Sequence, residues 1–444
     1  MVLLKKFTAC YLLLFGLFPI LASTEPAFRK KPVRQLVHQD FKDLSPTVTG
    51  KKSSEQIEQL AIPDYNTRNA TATLINEPES TDSSDEKHDS NSDGQKKNGK
   101  EEHTNTDHIS GNTCTQNTFD IRSEADLEQI SKCAKIKGDV VVEEYEGSLL
   151  ELEGVAVIEG SLTIKNSGGL SSIEAPELQV VTGTLALDTL TSLSSLSFPK
   201  LMDIDSIEWK VLPILSHANF NRGIKKIKSV VMQDTSLTGF VGFNVEKLNR
   251  LNINNNRFLE RIDSTVKEVD GELVIAANSK GLKVVLSDLE YAEKVVIKDA
   301  DEVDIGKLEN VKQSAEFINN KFTELDVSHL KEVGASLSIS KNANLKKADF
   351  SSLSDVGGGL IVIDNMELNK IDCFPSLKTI GGAIEFHGDI EESSLQQLRL
   401  VKGSAIVKSS SSSFDCKNWI ENQVSDVVRG GKIECGSGNS KNEG

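Results

Sequence analysis

The sequence predicts an all-β solenoid, built as a right-handed parallel β-helix-like stack of short turns. A triplet of apolar, any and apolar residues recurs with a mean period of about 22 residues, and such a period is typical of solenoids. Each unit holds two further short extended pieces and lacks the longer periodic run that a helix requires. Cysteine pairs flank the repeat at both ends. The triplets begin at Val140, Leu162, Leu185, Ile207, Val230, Leu251, Leu273, Val295, Ala315, Leu337, Leu360, Ile384 and Ala405.

The N-terminus has the layout of a secretory signal peptide. A short basic segment, residues 1–6, precedes an apolar run over residues 7–21 that ends in the small residues Ala22 and Ser23. A retained signal-anchor is the alternative, but the run is shorter than the ~20 residues that a bilayer span needs. We therefore predict that residues 1–23 are a signal peptide and that the chain enters the secretory pathway.

Residues 24–113 predict a disordered polar and acidic spacer. Lys, Glu, Asp, Ser, Asn and Thr dominate this segment, and such a composition buries too little apolar surface to offset the entropy of ordering. Its charge runs are interpreted as solvated rather than as a specific binding tail. The segment holds the sequon Asn69-Ala70-Thr71, which predicts N-glycosylation at Asn69.

Two cysteine pairs predict disulfide-bonded caps. Cys114 and Cys133 bracket a short helical segment with Ser123 as a candidate N-cap, and Cys416 and Cys435 bracket a second short segment. In an oxidising compartment each pair forms a disulfide worth about 3 kcal/mol by loop closure. Such caps are needed because the terminal turns of a solenoid would otherwise expose core and unpaired strand edges.

These signals divide the chain into segments. The N-terminal cap is placed at residues 114–137, the solenoid at 138–407, the C-terminal cap at 408–436 and a polar tail at 437–444. Cys373 lies inside the solenoid and is predicted to remain a buried thiol.

The overall composition limits the classes of partner. The 444 residues carry 50 basic and 66 acidic side chains, with a formal net charge of −16. Because proteins grip a phosphate backbone with clustered Lys and Arg, this balance argues against nucleic acid. The chain has only 7 His and 6 Cys, which are few ligands for a metal cluster. Neither a metal nor a cofactor is predicted.

Asn or Asp follows the triplet in many turns. A calcium ladder would need several oxygens within about 2.3 to 2.6 Å of one ion. A structural role is favoured, because Asn and Asp tolerate left-handed corners and stacked Asn side chains pair between turns. The residues are Asn166, Asp188, Asn254, Asn255, Asn256, Asn278, Asp299, Asn319, Asn320, Asn342 and Asn365.

The middle residue of each triplet should point outward, because side chains alternate across a strand. Three of these residues are acidic, Glu208, Glu316 and Glu385. At ~4.8 Å per turn they lie roughly 24 Å and 14 Å apart, whereas a glycosidase pair needs roughly 5 to 9.5 Å. No catalytic residue is predicted, and a secreted polysaccharide-active β-helix enzyme, a lyase or hydrolase, is kept as the alternative.

The rest of this outward face is largely apolar, which suits a partner surface. We predict an interaction face at Val231, Val274 and Val296. His217, His329 and His387 lack a metal-binding spacing and are interpreted as solvated or satisfied. The glycines at 357–359 and 381–382 precede strands, so they are interpreted as turn glycines rather than a phosphate loop.

Several strings in the repeat carry a family resemblance. The longest are Ile207-Glu-Trp-Lys-Val-Leu-Pro-Ile-Leu215 and Leu251-Asn-Ile-Asn-Asn-Asn-Arg-Phe-Leu-Glu260. With shorter strings at 234–237, 381–383, 400–404 and 429–432, they resemble the yeast sporulation-specific cell-surface proteins. These belong to a wider group of fungal GPI-anchored cell-wall proteins with receptor-L-domain-like, leucine-rich-type repeats. The resemblance covers about residues 114–435.

The resemblance implies a non-enzymatic role at the cell surface in organising the wall, and for this branch the ascospore wall. The implied partners are cell-wall polysaccharide or other wall proteins, and the implied destination is the cell surface, cell wall or spore wall. Relatives of this kind carry a C-terminal GPI signal, whereas residues 436–444 show small residues without a hydrophobic tail. Either the anchor has been lost or the sequence stops short of it, so membrane contact is expected only through such an anchor.

Overall fold

The computed structural model describes residues 113–240 and 245–438. Within them the chain forms a parallel β-solenoid of about 13 turns with little helix and two disulfide-bonded caps. The predicted fold class is therefore confirmed. The predicted signal peptide, most of the spacer and the sequon at Asn69 lie outside the described residues.

The strands are short and come two or three to a turn. In residues 113–240 they are β1 (Thr115–Ile121), β2 (Lys135–Glu143), β3 (Leu149–Glu151), β4 (Val157–Glu159), β5 (Leu162–Lys165), β6 (Ser172–Glu174), β7 (Val180–Asp188), β8 (Ser195–Ser197), β9 (Asp203–Leu212), β10 (Ser229–Thr235) and β11 (Gly239–Phe240). They continue as β12 (Lys247–Leu248), β13 (Arg250–Asn254), β14 (Arg261–Asp263), β15 (Glu268–Ala276), β16 (Lys283–Val285), β17 (Tyr291–Lys298), β18 (Glu302–Asp304), β19 (Asn310–Val311), β20 (Ala315–Ile318), β21 (Glu324–Asp326) and β22 (Glu332–Val333). The last are β23 (Leu337–Ser340), β24 (Lys347–Asp349), β25 (Asp355–Val356), β26 (Leu360–Ile363), β27 (Lys370–Ile371), β28 (Thr379–Ile380), β29 (Ile384–Gly388), β30 (Glu392–Ser393), β31 (Leu400–Val401), β32 (Ala405–Ser409) and β33 (Ile433–Gly436).

One long sheet of 22 described strands runs the length of the solenoid, and four small sheets cover the remaining side. Every pairing is parallel, and each triplet pairs in register with the next, as Leu337 does with Leu360 and Ile339 with Val362. The first and third residues of all thirteen triplets are buried. They form one continuous apolar core, because each turn covers the open face of its neighbour.

The long sheet extends one rung beyond the triplets at each end. Phe119 of β1 pairs with Val140, and Ile433 of β33 pairs with Ala405. The caps therefore add strands as well as helices, which the sequence analysis did not anticipate.

The N-terminal cap contains α1 (Glu124–Ile130), which begins after Ser123. The Ser123 backbone N–H and hydroxyl both donate to the Asp126 carboxylate, at 3.0 and 2.9 Å. A hydrogen bond from the Arg122 N–H, followed by these two bonds, lowers the pKa of Asp126. In the C-terminal cap, α2 (Cys416–Trp419) continues as one turn of π-helix, Ile420–Val424.

The structure joins Cys114 to Cys133 and Cys416 to Cys435, with Cα atoms 5.6 Å apart in both pairs. Cys373 is a buried free thiol, and burial raises its pKa. In the described ranges no helix is long and apolar enough to cross a membrane.

Removing the C-terminal disulfide is expected to destabilise that cap by about 3 kcal/mol, because the unfolded chain regains the entropy of the open loop. The change is Cys416→Ala with Cys435→Ala. Urea unfolding followed by fluorescence of the buried Trp419, in a Trp209→Phe background, measures it. Cys373→Ala is the control and should lower stability by about 1 kcal/mol. Equal midpoints for the two variants would contradict the prediction.

Candidate functional site

The outward side of the long sheet presents one column of side chains, here called the outer column. It consists of the middle residues of the triplets, and the register stacks them without a break. In order they are Val141, Thr163, Ala186, Glu208, Val231, Asn252, Val274, Val296, Glu316, Ser338, Ile361, Glu385 and Ile406.

The three carboxylates of the outer column stay apart. Five rungs separate Glu208 from Glu316 and three separate Glu316 from Glu385, which is roughly 24 Å and 14 Å at ~4.8 Å per rung. Two of them pair with lysines on the same face, Glu208 with Lys210 at 3.5 Å and Glu316 with Lys298 at 3.6 Å. This face therefore does not bring two of these carboxylates to the distance that glycoside hydrolysis uses.

The predicted interaction face is smaller than the sequence suggested. Val231 and Val274 are half-buried, but Val296 is only 7% exposed, although it lies outside the core cluster. Its register places it between Val274 and Glu316, and Glu316 forms an ion pair with Lys298 at 3.6 Å. Val296 is therefore the least accessible of the three residues of the predicted interaction face.

The asparagines after the triplets form a stack of hydrogen bonds. The Asn342 side-chain N–H groups donate to Phe317 O at 2.9 Å and Asn365 Oδ1 at 3.0 Å. Its own Oδ1 accepts from the backbone and side chain of Asn320, at 2.9 and 3.1 Å. These oxygens are thus used within the protein, and among the described residues no group of three metal-ligating side chains occurs. The stack supports the structural interpretation over a calcium ladder.

The residue just before this stack forms a sharp corner in most turns. It has a positive φ in eleven turns without glycine, and the residue is Asn or Asp in six of them. Thr189 and Val211 stand out, because β-branched residues rarely adopt the positive φ angles of 54° and 55° found there. This corner column lies along one edge of the solenoid.

Two clefts open on the corner column, and the sequence analysis missed both. The His387 cleft has a volume of about 940 Å³, and the Phe258 cleft a volume of about 410 Å³. The first is lined by side chains that include Asn319, Lys341, Asp364, Met366, His387 and Lys408. The second is lined by side chains that include Val211, Asp234, Asn255, Arg257 and Phe258.

One histidine departs from its prediction. His217 Nδ1 lies 2.8 Å from Ser216 Oγ, and His329 Nδ1 lies 2.8 Å from Gly306 O. His387 Nε2, in contrast, is buried without a hydrogen-bond partner. The expectation that His387 is solvated or satisfied therefore does not hold for this nitrogen.

Sequence comparison places the chain among fungal wall proteins. It is 41% identical over 329 residues to sporulation-specific protein 2 of Saccharomyces cerevisiae, covering 73% of this chain and 65% of that protein. It is 36% identical to sporulation-specific protein 22 of the same yeast, covering 76% and 74%. It is also 36% identical to the cell wall mannoprotein PST1, covering 72% and 71%. The chain belongs to this family of fungal cell-wall and sporulation-specific proteins.

Other members of the family extend beyond this yeast. A cell surface GPI-anchored protein, ECM33, of Candida albicans is 29% identical over 330 residues. The chain spans slightly less than two thirds of sporulation-specific protein 2. No family model and no solved structure matches the chain. The names of these family members describe wall and surface proteins, which supports a cell-wall role.

Proposed function

We propose that the protein is a non-enzymatic component of the fungal cell wall that organises the ascospore wall during sporulation. The observation that carries the proposal is the similarity to two sporulation-specific proteins, at 41% and 36% identity. The predicted signal peptide supplies the route to the wall. Its partners are wall polysaccharide or other wall proteins.

A structural role is favoured over a secreted polysaccharide-active enzyme for a geometric reason. The outer column separates Glu208, Glu316 and Glu385 by several rungs, whereas general acid and base must flank one glycosidic bond. The half-buried Val231 and Val274, two rungs apart with Asn252 between them, are the part of the outer face that we assign to contact with a partner.

Introducing charge at the outer face is expected to abolish wall assembly while preserving the fold. The change is Val231→Lys with Val274→Lys. Both side chains point away from the core, so the fold should tolerate the change, whereas burying the new charges against an apolar partner would cost free energy. The matched variant carries Glu208→Gln, Glu316→Gln and Glu385→Gln and should retain function. The measurement is complementation of a strain that lacks this protein and its paralogues, scored by spore resistance to ether and wall-digesting enzymes.

Secretion and the thermal midpoint of each variant serve as controls. Loss of complementation by the Gln variant, at normal secretion and stability, would favour the enzyme. Full function of the Lys variant would show that the outer face does not contact a partner that wall assembly requires. Normal spores from the strain without any of these proteins would contradict the ascospore-wall role itself.

A further inference from the structure

The His387 and Phe258 clefts lie in line on one edge of the solenoid. Asp234 and Asn255 line the Phe258 cleft, and Asn319, Lys341 and Asp364 line the His387 cleft. All five occupy the corner column. Phe258 follows the corner at Asn255 and Met366 follows the corner at Asp364, and five rungs, about 24 Å at ~4.8 Å per rung, separate these two corners. One extended ligand lying along the edge can therefore reach both clefts.

Several charged side chains of the clefts have no partner of opposite charge. Among the described residues, the ion pairs include none with Lys341, Asp364, Lys408 or Arg257. Their side chains form no hydrogen bond within the described ranges either. These side chains leave donors and acceptors available to a ligand.

Each cleft also exposes a large apolar side chain. Met366 is 71% exposed and Phe258 is 51% exposed, although exposure of such side chains to water is unfavourable. Ligand sites typically combine an apolar surface with a few convergent polar groups. A pyranose ring matches this combination, because its C–H face is apolar and its rim carries hydroxyl groups that both donate and accept.

The charge of the larger cleft selects among such ligands. Lys341 and Lys408 are balanced there by Asp364 and Asp389, so the cleft favours neither an anionic nor a cationic chain. The smaller cleft adds the free Arg257 next to Asp234. The three basic side chains are thus matched by three carboxylates, and neither a cationic amino-sugar polymer nor a polyanion finds a site of opposite net charge.

We propose that this edge binds a linear polysaccharide of neutral hexose residues, with one ring against Met366 in the His387 cleft and another against Phe258. The inference rests on the proposed function, since it names the wall component that the protein contacts. It assigns that contact to the corner column, whereas the outer column serves a separate partner.

The test is calorimetric titration of the full-length secreted protein with soluble β-1,3-glucan, with a glucan trisaccharide and with soluble chitosan. The glucan polymer should bind, and more tightly than the trisaccharide, because only the polymer reaches both clefts. Met366→Ala and Phe258→Ala should each weaken polymer binding roughly fivefold. Leu149→Ala is the matched control, since Leu149 is 43% exposed on another sheet, and should leave binding unchanged.

Failure of the polymer to bind, tighter binding of chitosan, or an equal loss in the Leu149 variant would each overturn the inference. Complementation with the Met366→Ala, Phe258→Ala double variant separates this result from the proposed function. Reduced spore resistance with normal secretion supports the glycan contact. Full rescue of the strain by a double variant that no longer binds glucan would show that glucan binding at these clefts is not needed for wall assembly. The proposed wall role itself would then remain intact.

Discussion

Replacing Asn342 with Leu is expected to destabilise the folded solenoid by about 4 kcal/mol. Asn342 is completely buried, and Leu has nearly the same size, so packing changes little. The substitution removes the partners that the Asn342 side chain supplies to Phe317 O and to the Asn320 backbone N–H. Asn365 Oδ1 keeps the backbone N–H of residue 342, and the Asn320 side chain keeps Ile297 O. Each buried polar group left without a partner costs about 1 to 3 kcal/mol.

Equilibrium unfolding in urea measures this loss of stability. Asn344→Leu is the control, because Asn344 is exposed and makes one bond, to Lys321 O at 3.2 Å, and it should change stability by less than about 0.5 kcal/mol. A loss below 1 kcal/mol for Asn342→Leu would show that the asparagine stack contributes little. A calcium-dependent midpoint in the unsubstituted protein would instead revive the calcium ladder.

The repeat was predictable because its signal is local and periodic. Leu337 and Ile339 flank one polar residue, so their alternation identifies both the strand and its buried face. The same signal marks Phe119-Asp-Ile121, 21 positions before Val140, and would have identified the first cap strand. The strand at Ile433 follows the insertion of α2 and the π-helix, which breaks the period and hides it.

The candidate site was harder to predict because exposure depends on neighbours from other turns. Val296 and Val274 occupy equivalent outward positions, yet Val296 is buried and Val274 is half-buried. The His387 cleft depends in the same way on side chains from five successive turns. It opens where the turn from Asp364 to Gly388 is longer than the one from Asn319 to Lys341, and triplet spacing does not specify the shape of such a corner.

The largest backbone effect is expected at Gly357. The glycines at 357–359 and 381–382 were interpreted as turn glycines, yet none of them has a positive φ. Gly334, Gly357 and Gly381 instead stack on one another between consecutive strands. A Cβ on Gly357 would lie well under 3.0 Å from Gly334 O, and one on Gly381 would meet Gly357 O in the same way. These positions require glycine because neighbouring turns approach too closely for any side chain.

Gly357→Ala is therefore expected to destabilise the protein by about 3 kcal/mol, and Gly357→Val by more. Two turns must separate to admit the new carbon, which stretches the bond from the Gly357 N–H to Val333 O, now 2.8 Å. Gly169→Ala is the matched control, since a Cβ there meets nothing within 4 Å. The measurement is the thermal midpoint together with the secreted yield. Equal thermal midpoints and secreted yields for Gly357→Ala and Gly169→Ala would contradict this prediction. The side-chain core and the asparagine stack would then set the spacing of the turns, without a requirement for glycine at these positions.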